Sequence, residues 1–293
     1  MSVLATHQHA VRQLQGFAVH VLASDTVELA VVPELGARII SLKDRRTGRD
    51  WLWHPHEQLR LFRNPPGAEF ATGPLAGVDE CLPTIAPCSW RGQPLPDHGE
   101  AWNRSWQVAT DNNSENRLTT TLRLEHSSLC FQRTIDLLGS VVRLVYRLTN
   151  PGATAQPFIW AIHPLLRLRP GDELELPAST RQLLNGHDWI DSVAAATPAG
   201  GCHKVFAHPV REGWAAIVNL PQRDRLRFEW NPAENPALGL WLTRGGWHGH
   251  HHFAIEPTNA TDDSLAVASA RNQCGQLAGH GSASWQLSLH VGF

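Results

Sequence analysis

From Phe17 to Val291 the chain keeps returning to one pattern: short runs of alternating apolar and polar residues, separated by segments rich in Asn, Asp, Gly and Pro. Phe17–Leu22, Val27–Val32, Ala37–Leu42, Arg117–Leu124, Val142–Leu148, Ala215–Leu220, Leu226–Trp230, Leu238–Thr243 and Trp285–Val291 all follow it. In Val142–Leu148, residues Val142, Leu144, Tyr146 and Leu148 share one side, while Arg143 and Arg147 take the other. A period of two is the signature of a half-buried strand. Turns with a local mechanism lie between the runs, such as Asn150-Pro151-Gly152 and Pro170-Gly171-Asp172. No long stretch repeats with helical spacing, and strands do not alternate with helices, which argues against a parallel sheet. The expectation is an all-β fold: one large, mainly antiparallel sandwich over residues 1–293, a single domain. The proline-rich segment Arg60–Arg104 reads as its longest irregular stretch, and loops of that length usually carry function.

Composition fits a large interior. Charged residues make up 18% of the 293, below the roughly 25% of typical domains. Net charge is −2 and no basic patch runs along the chain, so nucleic acid is not an expected partner. No run reaches the roughly 18 apolar residues of a membrane-spanning helix, so no membrane partner is expected either. The first residues lack the basic stretch and apolar core of a secretory signal. Five cysteines, with no Cys-x-x-Cys pair, point to a reduced, cytoplasmic protein.

Three segments join a strand end or loop to groups that can move protons: Pro96-Asp-His98-Gly-Glu-Ala-Trp102, Phe158-Ile-Trp-Ala-Ile-His163-Pro164 and Phe253-Ala-Ile-Glu256-Pro257-Thr258. In the last two, proline follows the titratable residue and holds it extended. Parity then puts Phe158, Trp160 and Ile162 on one face and His163 on the other with Ile159 and Ala161. Likewise Phe253 and Ile255 oppose Ala254 and Glu256. Each strand thus packs large apolar groups on one side and presents an acid or base beside alanine on the other. Twelve tryptophans are conspicuous, but Trp160 and Trp230 occupy core-like strand positions.

Gly36-Ala-Arg-Ile-Ile-Ser-Leu42, Trp51-Leu-Trp53, Gly77-Val-Asp-Glu-Cys-Leu-Pro83-Thr84, Asp97-His98-Gly99, His163-Pro164 and Glu256-Pro257-Thr258 occur in the order of a known family. The chain resembles the aldose 1-epimerases, the galactose mutarotase-like proteins, and is closest in wording to their aldose-epimerase-like branch. The resemblance implies a β supersandwich with a sugar cleft, a small-molecule sugar substrate and no metal or organic cofactor. It also implies roles: Glu256 as the base that takes the anomeric hydroxyl proton, His163 as the acid that protonates the ring oxygen, and His98 as a second histidine near that oxygen. Ring opening of a hemiacetal removes one proton and adds another, so a carboxylate and an imidazolium straddling the sugar suffice. Asp79 and Glu80 are loop candidates for sugar hydroxyls, and Trp241 is a candidate stacking platform. The arginine that grips substrate in the best-studied galactose mutarotases has no equivalent; Arg63, Arg104 and Arg244 are the cations open to an acidic substrate.

Two other functions fit parts of the sequence. A Trp-rich sandwich could bind carbohydrate without turning it over. Alternatively, His248 to His252 could hold a metal in a sugar isomerase or hydrolase, since His250, His252, Ala254 and Glu256 would share a face if the strand began early. One or two histidines flanking the cleft is the simpler expectation for that cluster.

Overall fold

Period-2 alternation resolves into two large antiparallel sheets in the computed structural model, which describes residues 7–55, 58–110, 114–184 and 199–293. The first has nine strands, in the order Gln8–Leu14, Phe17–Ala23, Val27–Val32, Arg38–Asp44, Val78–Cys81, Ala161–Pro164, His251–Thr258, Ala237–Arg244 and Cys202–Ala207. The second has eight: Glu173–Glu175, Trp214–Asn219, Asp224–Trp230, Ser282–Val291, Val141–Thr149, Cys130–Leu138, Arg117–Arg123 and Gln107–Val108. Leu22, Leu29 and Ile39 of the first sheet join Ile135, Leu144 and Leu287 of the second in one buried cluster, so the main core lies between the sheets. Trp160 and Trp230 belong to that core, as their strand positions suggest. All five cysteines are free. Among the described residues no helix is long and apolar enough to cross a membrane.

One expected strand is divided. Gln156–Phe158 pairs with Gly275–Leu277 in a small separate sheet, whereas Ala161–Pro164 belongs to the nine-stranded one. Between them the Ile159 N–H donates to the Pro83 carbonyl at 2.8 Å and the Trp160 N–H to Asn259 Oδ1 at 2.8 Å. Those diversions end the ladder without reversing the chain. Parity therefore survives: Phe158, Trp160 and Ile162 enter the main core, while Ile159 and Ala161 enter a second cluster on the outer side.

Arg60–Arg104 is more ordered than its prolines suggested. It contributes the strand Val78–Cys81, a short 3₁₀ turn at Phe70–Thr72 and a hairpin of Cys88–Trp90 with Gln93–Leu95. Gly77 makes the entry into the strand possible. Its φ is +76°, and a Cβ there would stand 2.0 Å from the Ile39 carbonyl oxygen.

Candidate active site

The nine-stranded sheet presents its site on the face away from the core. His163 stands on Ala161–Pro164, between Val78–Cys81 and His251–Thr258. Glu256 stands on the latter strand, opposite Gly239. Both are buried, and His163 Nε2 lies 3.9 Å from Glu256 Oε1. The other carboxylate oxygen, Oε2, accepts a hydrogen bond from Lys204 Nζ at 2.9 Å. Lys204 comes from the edge strand Cys202–Ala207, and its ammonium also lies 2.9 Å from Asp263 Oδ1. Among the described residues Glu256 Oε1 and His163 Nδ1 have no hydrogen-bond partner.

His98 reaches the same place from the long segment after Arg60. The Asp97 carboxylate links it to Phe70: Oδ1 lies 2.7 Å from His98 Nδ1, and Oδ2 accepts the Phe70 N–H at 2.8 Å. The Phe70 ring stacks on His98 with centroids 4.0 Å apart, and His98 meets His163 edge-on at 4.8 Å. With Nδ1 committed to a carboxylate, Nε2 is the atom left for a ligand. The turn depends on Gly99, at φ +71°, where a Cβ would stand 2.1 Å from the Leu82 carbonyl oxygen.

Burial dominates protonation. It holds the His163 pKa well below the ordinary histidine value, helped by His98, Lys204, His252 and Arg38 nearby. The expected imidazolium is thus corrected: His163 is a neutral imidazole, and its approach to Glu256 is not an ion pair. Burial likewise lowers His252 to about 3. For Glu256, burial raises the pKa while Lys204 opposes it. Lys204 is itself pulled down by burial, but Glu256 and Asp263 more than reverse this and keep it firmly charged. The Asp97 pKa lies below the ordinary carboxyl value, because its bonds to His98 and Phe70 outweigh the effect of burial.

A cavity of about 190 Å³ has Phe70, His98, His163, Lys204, Trp241, Trp247, His252 and Asp263 in its wall; Glu256 does not itself line it but touches His163 and Lys204, which do. Trp241, the expected stacking residue, is in that wall. A larger depression of about 430 Å³ is lined by strand residues of the eight-stranded sheet such as Gln107, Gln132 and Arg147; no His, Asp or Glu lines it.

Asp79 and Glu80 are not loop ligands. Both sit fully buried on Val78–Cys81, and neither lines the cavity. Being adjacent on a strand, they face opposite ways. Asp79 lies beside His163 in the ladder and takes the Arg38 Nε–H at 2.7 Å. Glu80 faces the core, where Arg133, Tyr146 and Trp160 each donate to it at 2.9 Å. Arg63 and Arg104 pair with Glu34 and Glu125, and no arginine lines the cavity. Of the conspicuous histidines, His252 lines the cavity. His248 and His250 pack around Trp247. Among the described residues no group of three or more His, Cys, Asp or Glu side chains could hold a metal ion.

Sequence reasoning missed Lys204, Asp263, Asp97 and Phe70 as site residues. One signal was present: the chain has only two lysines, and Lys204 is set in an otherwise apolar-leaning strand.

The paired antiparallel sheets form a galactose mutarotase-like β-sandwich. Galactose mutarotase-like proteins from Clostridium acetobutylicum (TM-score 0.74, 14% identity, 97% of this chain and 98% of that one) and Lactobacillus casei (0.65, 13%, 93% and 99%) share the fold, as does a Synechocystis protein (0.68, 17%, 99% and 96%). The chain belongs to the aldose 1-epimerase family, whose sequence profile matches residues 19–190. None of the curated proteins matches it by sequence.

Proposed function

We propose that this protein is an aldose 1-epimerase, interconverting the α and β anomers of a sugar by acid–base ring opening and closure. The observation that carries the reading is the unpartnered Glu256 Oε1, buried and 3.9 Å from Nε2 of His163, which lines the cavity of about 190 Å³. Glu256 Oε1 takes the proton of the anomeric hydroxyl. As the C1–O5 bond breaks, its electron pair moves to O5, which receives a proton from the Nε2–H of His163. A neutral imidazole can serve as such an electrophile towards a developing oxyanion. Rotation about C1–C2 turns the other carbonyl face towards O5, and closure reverses both transfers. His98, oriented by Asp97, supports the same oxygen, while Trp241 offers an apolar face to the ring.

Anomer exchange in α-D-glucose, α-D-galactose and hexose 6-phosphates, followed by NMR with catalytic amounts of protein, tests the proposal. Acceleration well above buffer is expected for at least one sugar. Binding without acceleration would make the protein a carbohydrate-binding sandwich instead.

A further inference from the structure

We infer that Lys204 is a positioning residue: clamped between Glu256 and Asp263, its ammonium holds one carboxylate oxygen of Glu256 and leaves the other ionised and aimed at His163. The inference rests on the proposed base role of Glu256, but its physical content can be tested separately.

The geometry divides the two oxygens. Oε2 receives Lys204 at 2.9 Å, while Oε1 faces His163 with no partner among the described residues. Asp263, on the far side of the ammonium, is equally close at 2.9 Å. Its own backbone is fixed, because its carbonyl accepts the Ile85 and Ala86 N–H groups at 2.9 and 2.7 Å. A flexible lysine stem is thereby anchored at its tip. Titratable groups stand around Glu256 on several elements. His163 and Asp79 face it from the two strands beyond, as does the Cys81 thiol, whose ionisation Glu256 opposes. His98 comes from the turn after Asp97, and His252 stands four residues earlier on the same strand face. Burial and Asp263 favour the neutral carboxyl, and Lys204 is the largest influence opposing them.

The two ends of the clamp should therefore act in opposite directions. Without the lysine charge, Glu256 titrates at higher pH; without the Asp263 charge, it titrates lower. Glutamate labelled with ¹³C at Cδ, its Glu256 signal assigned by loss in Glu256→Gln, is titrated in wild type, Lys204→Met, Lys204→Arg and Asp263→Asn. Expected is an upward move of about 1–3 pH units in Lys204→Met, restoration in Lys204→Arg, and a downward move in Asp263→Asn. Because Asp263 is partly exposed, Asp263→Asn keeps the test available should Lys204→Met not fold. A Glu256 titration unmoved by Lys204→Met, or one moving upward in Asp263→Asn, overturns the clamp. If the clamp shifts appear while wild type accelerates no sugar, the epimerase reading fails and the clamp stands. If catalysis is present, the acid limb of kcat/KM must follow the NMR titration in each variant.

Discussion

His163 and Glu256 lie within 3.9 Å of each other, yet burial keeps the imidazole neutral. A neutral donor beside a carboxylate suits a reaction in which one group gives a proton and the other takes one. Two oppositely charged partners would instead neutralise each other and wait as a salt bridge.

Glu256→Gln and His163→Asn should each reduce the anomer-exchange rate by about 10²–10⁴-fold, the usual contribution of a positioned acid or base. Glu256→Gln keeps the shape of the side chain, and His163→Asn removes the Nε2–H while keeping a smaller polar group, so sugar affinity should stay within a few-fold of wild type. Rates and affinities from exchange NMR and calorimetry separate the two effects. Full activity in both variants would reject the assigned roles.

Glu80 makes the opposite prediction. Two of its three hydrogen bonds join the sheets, since Arg133 and Tyr146 lie on the eight-stranded sheet and Glu80 on the nine-stranded one. Glu80→Gln leaves the Arg133 charge buried without its counter-ion, which should lower stability by about 3–5 kcal/mol. Denaturant unfolding measures that loss, while KM for the sugar should not change. A raised KM with unchanged stability would return Glu80 to the site.

The strands were legible in the sequence because alternation is local, and Xaa-Pro at His163 and Glu256 fixed their facing without reference to other segments. Asp79 and Glu80 were misjudged for a related reason. Their strand is four residues long and set among glycines and prolines, so no alternating run announced it. Lys204 and Asp263 were out of reach for another cause: what gives them a role is the contact of Lys204 with Glu256 across 52 residues of chain and with Asp263 across 59, made only when the sheet forms. The protonation of His163 depends on burial contributed by many segments at once, so a neighbouring carboxylate alone pointed the wrong way.

His252 should make the protein sensitive to mild acid. Its folded pKa of about 3 lies below the unfolded value near 6.5, so the unfolded chain binds the extra proton first. Stability is therefore complete above pH 6.5 and declines as pH falls through that value towards 3. The loss attributable to His252 between pH 6.5 and 5 is about 1.5 kcal/mol. Asp44, Asp97 and Asp136, whose pKa values are lowered, act only further down, below about pH 4. Denaturant unfolding at pH 7, 6 and 5 should accordingly show a shallower acid slope for His252→Gln than for wild type. Equal slopes would mean that His252 is already charged in the folded protein.

Gly99 offers a way to move His98 without touching it. Gly92 and Gly99 have similar positive φ values, +77° and +71°, but a Cβ on Gly92 meets nothing within 4 Å. On Gly99 it would collide with the Leu82 carbonyl oxygen at 2.1 Å, and that carbonyl accepts the Glu100 N–H at 2.7 Å. The backbone must shift, and His98 is the preceding residue. Gly92→Ala should thus cost about 1–2 kcal/mol from its left-handed backbone alone and leave the exchange rate unchanged. Gly99→Ala should cost more, and should slow exchange by about 10²-fold through displacement of the imidazole by roughly 1 Å. Thermal unfolding and exchange NMR on the two variants read both quantities; equal rates in Gly92→Ala and Gly99→Ala would show that His98 position does not limit the reaction.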